Sequence, residues 1–174
     1  MQAGLEQFHK IIHPQARFTR CPEAGQTSES KCMISVDQKT TIERAIATAE
    51  QTTSAEIKVV IRRHCWGSIL RAAEREFHKL GLHETRHKNA VLILVVVANR
   101  EFLIFGDEGI HQHVGSEFWE ETSQAMASAF KSQSISDGVA TGVHAIAERL
   151  REVFPPDSDN PNEISDEVIV DDAK

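Results

Sequence analysis

Ile42, Ala45, Ile46 and Ala49 recur at i, i+3, i+4 and i+7, the spacing of one apolar helical face, in a pattern that becomes regular from Val36. Thr52, Thr53 and Ser54 end that helix, since short hydroxyl side chains compete for backbone hydrogen bonds and favour turns. The stretch EIKVVIRR, Glu56 to Arg63, carries β-branched residues at Ile57, Val59, Val60 and Ile61, which predicts a strand partly buried on both faces. Ile69, Leu70, Ala73, Phe77 and Leu80 form a second amphipathic stripe, closed by Gly81 as a left-handed cap. Ala90 to Ala98 is the longest apolar run and reads as a strand buried on both faces. Asn99-Arg100 predicts a two-residue hairpin connection to an antiparallel neighbour at Glu101–Phe105, with Asn supplying the positive φ. Two helices follow, one carrying Phe118, Trp119, Thr122, Met126 and Phe130, the other Val139, Val143, Ile146, Leu150 and Val153. Ser136 or Asp137 is the expected N-cap of the second, and Pro155-Pro156 its stop.

The first strand-helix-strand unit should be a right-handed parallel crossover. Helices on both faces would explain why the central strand alternates so little. The expected fold is therefore α/β, a small three-layer α/β/α sandwich around a mixed sheet, spanning residues 35–154. Residues 1–34 lack a sustained period and read as a loose arm. Residues 155–174 carry Asp157, Asp159, Glu163, Asp166, Glu167, Asp171 and Asp172 against a single Lys174, and read as an acidic disordered tail. Within that tail, Glu167 to Val170 is a short β-prone run able to add to a sheet edge; a frayed terminus is the plainer reading.

At 174 residues the chain is long enough for one domain with a sizeable core. The net charge of −7 argues against a general nucleic-acid binder and, since the tail supplies most of it, leaves the body near neutral. Cys21, Cys32 and Cys65 have the irregular spacing of free thiols rather than of a disulfide framework. The N-terminal region has no secretory apolar core, and no apolar run approaches the roughly 20 residues of a membrane-spanning helix. A soluble, cytoplasmic protein is the expectation.

Gly106-Asp107-Glu108-Gly109 places two carboxylates between two glycines at the end of the third strand. Because that strand runs antiparallel to the second, the loop should lie where the second strand starts, near Asn89. Two carboxylates there could hold a hard cation or act as acid and base, with the glycines allowing close backbone approach. The plainer reading is a surface turn whose Asp caps the next helix.

Several separated stretches, in order, resemble the TPM domain, also called the TPM phosphatase domain. They are a helix ending in an acidic residue, Glu50, with Thr53-Ser54-Ala55-Glu56-Ile57, and Leu80-Gly81-Leu82-His83-Glu84-Thr85 continuing to Asn89-Ala90-Val91-Leu92-Ile93. Then come Gly106 to His111, Val114 to Trp119, and Asp137-Gly138 with Gly142. The resemblance covers about residues 36 to 154, with Ala55 and Ala90 standing where the family frequently has glycine. It implies a Rossmann-like α/β/α sandwich, divalent-cation binding and, in some members, acid phosphatase activity; other members look like non-catalytic accessory proteins. On that basis Asp107 and Glu108 are the expected catalytic carboxylates. Asn89, Asp107, Glu108 and Asp137 are the expected oxygen ligands of Ca²⁺ or Mg²⁺ rather than Zn²⁺, with Glu56 a weaker candidate. The substrate would be a phosphate monoester. A cation-binding interaction module with a protein partner and no turnover is the alternative. Arg62 and Arg63 could contact phosphate but should lie at the opposite sheet edge.

His83-Glu84-Thr85-Arg86-His87 also satisfies HExxH, the signature of zinc metallopeptidases. That chemistry requires both histidines on one helical face, whereas Gly81 has just closed a helix and a strand is about to begin. His111 and His113 alternate like strand neighbours, His144 sits at a helix edge, and Trp66 and Trp119 read as packing residues.

Overall fold

The computed structural model describes residues 16–17, 33–156 and 164–171. Its elements are β1 (Ala16–Arg17), α1 (Val36–Glu50), β2 (Glu56–Arg62), α2 (Ile69–Lys79), a 3-10 turn (Leu82–Glu84), β3 (Ala90–Val96), β4 (Glu101–Gly106), α3 (Glu108–Ser132), α4 (Ile135–Val153) and β5 (Ile169–Asp171). They form a mixed sheet of order β1-β4-β3-β2-β5. β2 and β3 run parallel, with Glu56 opposite Ala90, and β3 and β4 run antiparallel, with Val91 opposite Gly106. The fold is the expected three-layer α/β/α sandwich.

Both faces of β3 are closed, which is why its sequence has no alternation. On one face Val91, Ile93 and Val95 pack with Ile57, Val59 and Ile61 against α1, α3 and α4. On the other Leu92, Leu94 and Val96 pack with Val60, Leu103 and Phe105 against Ile69, Ala73 and Phe77 of α2. Each helix start is locally encoded. The Ser35 side chain accepts from the Gln38 amide and Gln38 returns a bond to the Ser35 amide, and Ser134 and Asp137 repeat this arrangement at α4. Ser134 is thus the cap of α4, two or three residues before the positions expected. Gly81 has φ 70, the left-handed conformation that ends α2. Among the described residues no helix is long and apolar enough to cross a membrane.

Five expectations need correction. The β3–β4 connection is a four-residue turn, 97–100, and its left-handed residue is Arg100 (φ 54), not Asn99. Asn99 instead donates its side-chain amide to the Cys65 carbonyl at 3.0 Å, a tertiary tie that its own sequence neighbourhood does not encode. α3 begins at Glu108, so His111 and His113 lie on a helix rather than on alternating strand positions. Trp119 is fully buried, but Trp66 is 83% exposed, its ring stacked on His64. The N-terminal arm supplies β1, pairing Ala16 with Phe102. In the acidic tail, residues 164–171 are an ordered segment ending in β5, which adds in parallel to β2. Net charge did not prevent this because Val168 is buried in the core and Lys39, Lys58 and Arg62 meet the acidic and carbonyl groups around it. Cys21, Cys32 and tail residues 157–163 and 172–174 lie outside the described residues; Cys65 is a free thiol.

α3 and α4 pack closely enough to require glycine at their contact. A Cβ built on Gly138 would lie 2.3 Å from the ring of the fully buried Phe130, and one on Gly142 2.3 Å from the Met126 sulfur. Gly138→Ala is expected to destabilise the protein by about 1 kcal/mol in urea unfolding. Overpacking of about 2 kcal/mol is partly offset by the roughly 1 kcal/mol that alanine contributes in a helix. A stabilised variant would mean that Phe130 can move aside without cost.

Candidate functional site

The starts of β2 and β3 and the end of β4 meet at one edge of the sheet. Glu56 lies opposite Ala90, and the Asp107 amide donates to the Ala90 carbonyl at 2.9 Å, so Glu56, Ala90 and Asp107 stand in line across three strands, with Asn89 immediately before Ala90. Strand spacing puts the backbones of Glu56 and Asp107 about 10 Å apart. Asn89, only 2% exposed, donates its side-chain amide to the Ser54 carbonyl at 2.7 Å and holds the α1–β2 loop against β3. Ser54 and Thr53 are in turn bonded to the Phe154 carbonyl, which brings the C-terminal end of α4 to the same edge.

Asp107 is the N-cap of α3, its Oδ1 accepting from the Glu108 amide at 2.7 Å, so the plainer reading of this turn holds for that oxygen. Oδ2 is buried and has no hydrogen-bond partner. Burial is the main reason that the Asp107 carboxyl is pushed above the usual range, against the amide of Glu108 and the charge of Lys88. Glu108 is exposed and accepts from Gln112 one turn on. The loop is pressed onto the residues before β3: a Cβ on Gly109 would lie 2.5 Å from the Lys88 carbonyl oxygen and 3.1 Å from that of His87. Close backbone approach, not positive φ, is why glycine stands there. Ala55 and Ala90 put their methyl groups into the two cores, each at most 1% exposed.

Asp137 does not join this group. Its carboxylate accepts from the Ser134 amide and hydroxyl at 3.2 and 2.7 Å, closing the cap of α4. The neighbouring Gly138 touches Phe130, whose ring packs on Phe102, and Phe102 is paired with Val95 near the far end of β3. Along α4, Asp137 is about 24 Å from the end that meets Thr53. The expected set of Asn89, Asp107, Glu108 and Asp137 is therefore divided between opposite ends of the sheet. Arg62 is also at the far end, ion-paired to Glu76 and, at 3.5 Å, to Asp171.

A second group of carboxylates stands beside Asp107 at the near edge. Glu50, Glu56 and Asp166 border a cavity of about 290 Å³, with Thr53 and Ala55 among its other walls. Glu50 Oε1 accepts from the Ile57 amide at 3.1 Å, and Oε2 is buried. Burial first, and a hydrogen bond with the Asp166 carboxyl second, push the Glu50 pKa up to about 9. Glu56, 3% exposed, accepts from the Ile164 amide at 3.1 Å. Glu50 had one sequence signal, its place at the acidic helix end of the TPM-like pattern; Asp166 had none, because only the docking of the tail brings it here.

The HExxH residues do not form a zinc helix. His83 is in the 3-10 turn and His87 in the turn after it. Among the described residues no three His, Cys, Asp or Glu side chains are placed to hold a metal ion between them. A cation at the near edge would have to complete its shell with backbone oxygens and water, as Mg²⁺ commonly does.

The model of the TPM domain matches residues 28–149 of the chain. No curated protein matches it. Among solved structures, the BA42 protein from the psychrophilic bacterium Bizionia argentinensis is 29% identical, with a TM-score of 0.77 over 83% of this chain and 99% of that one. The N-terminal domain of a P. gingivalis protein (16% identity, TM-score 0.59, 70% and 79% of the two chains) shares the fold. So does the N-terminal domain of a Corynebacterium glutamicum protein (13%, 0.55, 73% and 85%).

Proposed function

From the premise that this chain belongs to the TPM domain family, we propose that it is a divalent-cation-binding module, with the ion held at the near sheet edge by the Glu50 and Asp166 carboxylates beside Glu56. The observation that carries this reading is the Glu50 carboxyl. It is a buried acid, kept protonated by burial and by a hydrogen bond with the neighbouring Asp166 carboxyl, at the wall of a cavity of about 290 Å³. A divalent cation would replace that proton and neutralise the carboxyls that crowd each other, and a hard oxygen-only donor set suits Ca²⁺ or Mg²⁺ better than Zn²⁺. The reading needs no turnover: the residues expected to assemble a phosphate-ester site are divided between the two ends of the sheet.

Hydrolysis of a phosphate monoester is the second reading, favoured by Asp107. Its Oδ2 is buried without a partner and its pKa is raised, so it could work as an acid or base beside the positive charge of Lys88. Glu108 and Asn89 would flank it.

Amide NMR titration with Ca²⁺, Mg²⁺ and Zn²⁺ tests both. Saturable shifts are expected at Glu50, Glu56 and Asp166, absent in Glu50→Gln and retained in Asp107→Asn. Shifts that vanish only in Asp107→Asn would move the ion to the Gly106–Gly109 loop. Cation-dependent turnover of a phosphate ester, lost in Asp107→Asn, would replace the first reading by the second. A flat titration would remove both.

A further inference from the structure

The outer edge of β2 is filled by the chain's own residues 164–171, and the contacts made there are of an unusual kind for a strand of a sheet. The β2–β5 register covers only Val60 with Ile169, Ile61 with Val170 and Arg62 with Asp171. Before it, charged side chains of the domain hold the backbone of the segment. Lys58, 4% exposed, donates to the carbonyls of Ser165 and Glu167 at 2.5 and 2.7 Å. Glu43 accepts from the Val168 amide at 3.1 Å, and Glu56 from the Ile164 amide at 3.1 Å. Val168 is the apolar plug, 1% exposed, and Ile164 and Ile169 pack on the opposite core.

The side chains of the segment are matched by charge. Lys39 pairs with Glu167 at 3.0 Å, and Arg62 with Asp171. A cavity of about 380 Å³ remains between Glu167–Val170 and the first turn of α1. Burying a lysine inside a sheet is costly unless it is bonded. Lys58 is bonded to this segment through main-chain carbonyls, which any extended peptide presents. Burial pushes its pKa down, against the surrounding charges of Glu167, Asp166, Glu50 and Glu43.

We infer that this edge is a peptide-acceptor groove: residues 164–171 are its resident occupant, and it takes in their place an extended acidic-aliphatic segment of a partner protein. The mode is strand addition, with backbone capture supplying affinity and the Val168 pocket and the Lys39 and Arg62 charges supplying selectivity. The preferred ligand follows the resident pattern, two acidic residues, three aliphatic ones and an acidic one, as in Asp166 to Asp171. Seven residues, 157–163, join the resident segment to the domain. A link that short sets a local concentration in the millimolar range, so a free peptide competes only when the resident is weakened or the competitor binds far more tightly.

The test uses the full chain and a fluorescein-labelled synthetic peptide of residues 164–171. Fluorescence anisotropy should show saturable binding to Val168→Asp, at least tenfold tighter than to the unmodified chain. Adding Lys58→Met should abolish it, as should a peptide with the three acidic residues replaced by lysine. Peptide-induced amide shifts should fall at Val60, Ile61 and Arg62. Absence of saturable binding to a Val168→Asp chain with a native amide spectrum overturns the inference, and so does binding indifferent to Lys58. Hydrogen exchange of the unmodified chain is independent of whether the variant folds. Val168 and Ile169 amides are expected to exchange at least 100-fold faster than those of β3; exchange only at the rate of global opening would make the segment a fixed strand and end the proposal.

Discussion

Glu50→Gln is expected to stabilise the cation-free protein at pH 8 and to leave it nearly unchanged at pH 5. The carboxyl has an ordinary value of 4.5 and is held up to about 9 in the folded chain. Below about pH 4.5 it is protonated in both states and opposes nothing. As pH rises from there towards 9, the unfolded chain releases the proton while the folded chain must retain it, so stability falls through that window. Glutamine keeps an oxygen for the Ile57 amide but has no proton to lose. One pKa unit corresponds to about 1.4 kcal/mol. After discounting for the partial solvent contact of the carboxyl, the gain at pH 8 is on the order of 2–3 kcal/mol. For a chain of this size that is roughly 5–10 °C in Tm.

The same change should abolish any rise in Tm with Ca²⁺ or Mg²⁺, because a cation that binds only the native state stabilises it and needs the ionised carboxylate. Its affinity for the unmodified chain should therefore strengthen as pH rises. Thermal unfolding in chelator and in added cation, at pH 5 and pH 8, checks all of this. A loss of stability in Glu50→Gln at both pH values would show that the carboxyl works charged, as an ordinary hydrogen-bond acceptor at the start of β2.

Gly109→Ala is expected to cost about 2 kcal/mol although alanine is the better helix former. The added methyl would stand 2.5 Å from the Lys88 carbonyl oxygen, and that oxygen cannot rotate away. Lys88 already has φ 51, and the adjoining Ala90 carbonyl is bonded to the Asp107 amide, so relief requires the start of α3 to separate from β3. Strain of this kind costs about 1–3 kcal/mol, at the upper end here because the opposing atom is backbone, against the roughly 1 kcal/mol gained in propensity. Urea unfolding gives the free energy, and amide shifts at Asn89, Ala90 and Asp107 report whether the edge has opened. Gly67, with nothing within 4 Å of a Cβ but φ 88, is the control for backbone strain alone. An unchanged midpoint for Gly109→Ala would mean that the loop and β3 are not in firm contact.

How the chain builds itself was largely legible from residue to residue. The Ile42–Ala49 stripe, the unbroken apolar run from Ala90 and the left-handed Gly81 each state a local geometry that the tertiary structure keeps, because burial of one helical stripe or of both strand faces is a property of the pattern itself. The antiparallel turn of β4 also put the Gly106–Gly109 loop at the start of β3, as the order of strands requires. The grouping of chemical residues was another matter. Asp137 shares a sequence pattern with Asp107 but lies at the far end of the sheet, because α4 packs antiparallel to α3 and points its N-terminus away.

The sequence by itself determined the layers and the strand directions, since these depend on period and on burial. Only the tertiary structure decided that Glu50, Glu56 and Asp166 share one cavity, that Asn89 is bonded to Ser54, and that an acidic tail becomes a strand. The bond from Asn89 to Ser54 and the reach of Asp166 to Glu50 join residues 35 and 116 positions apart. Their free energy comes from matching a buried lysine, an apolar pocket and a free strand edge to one segment, and no local stretch contains that information.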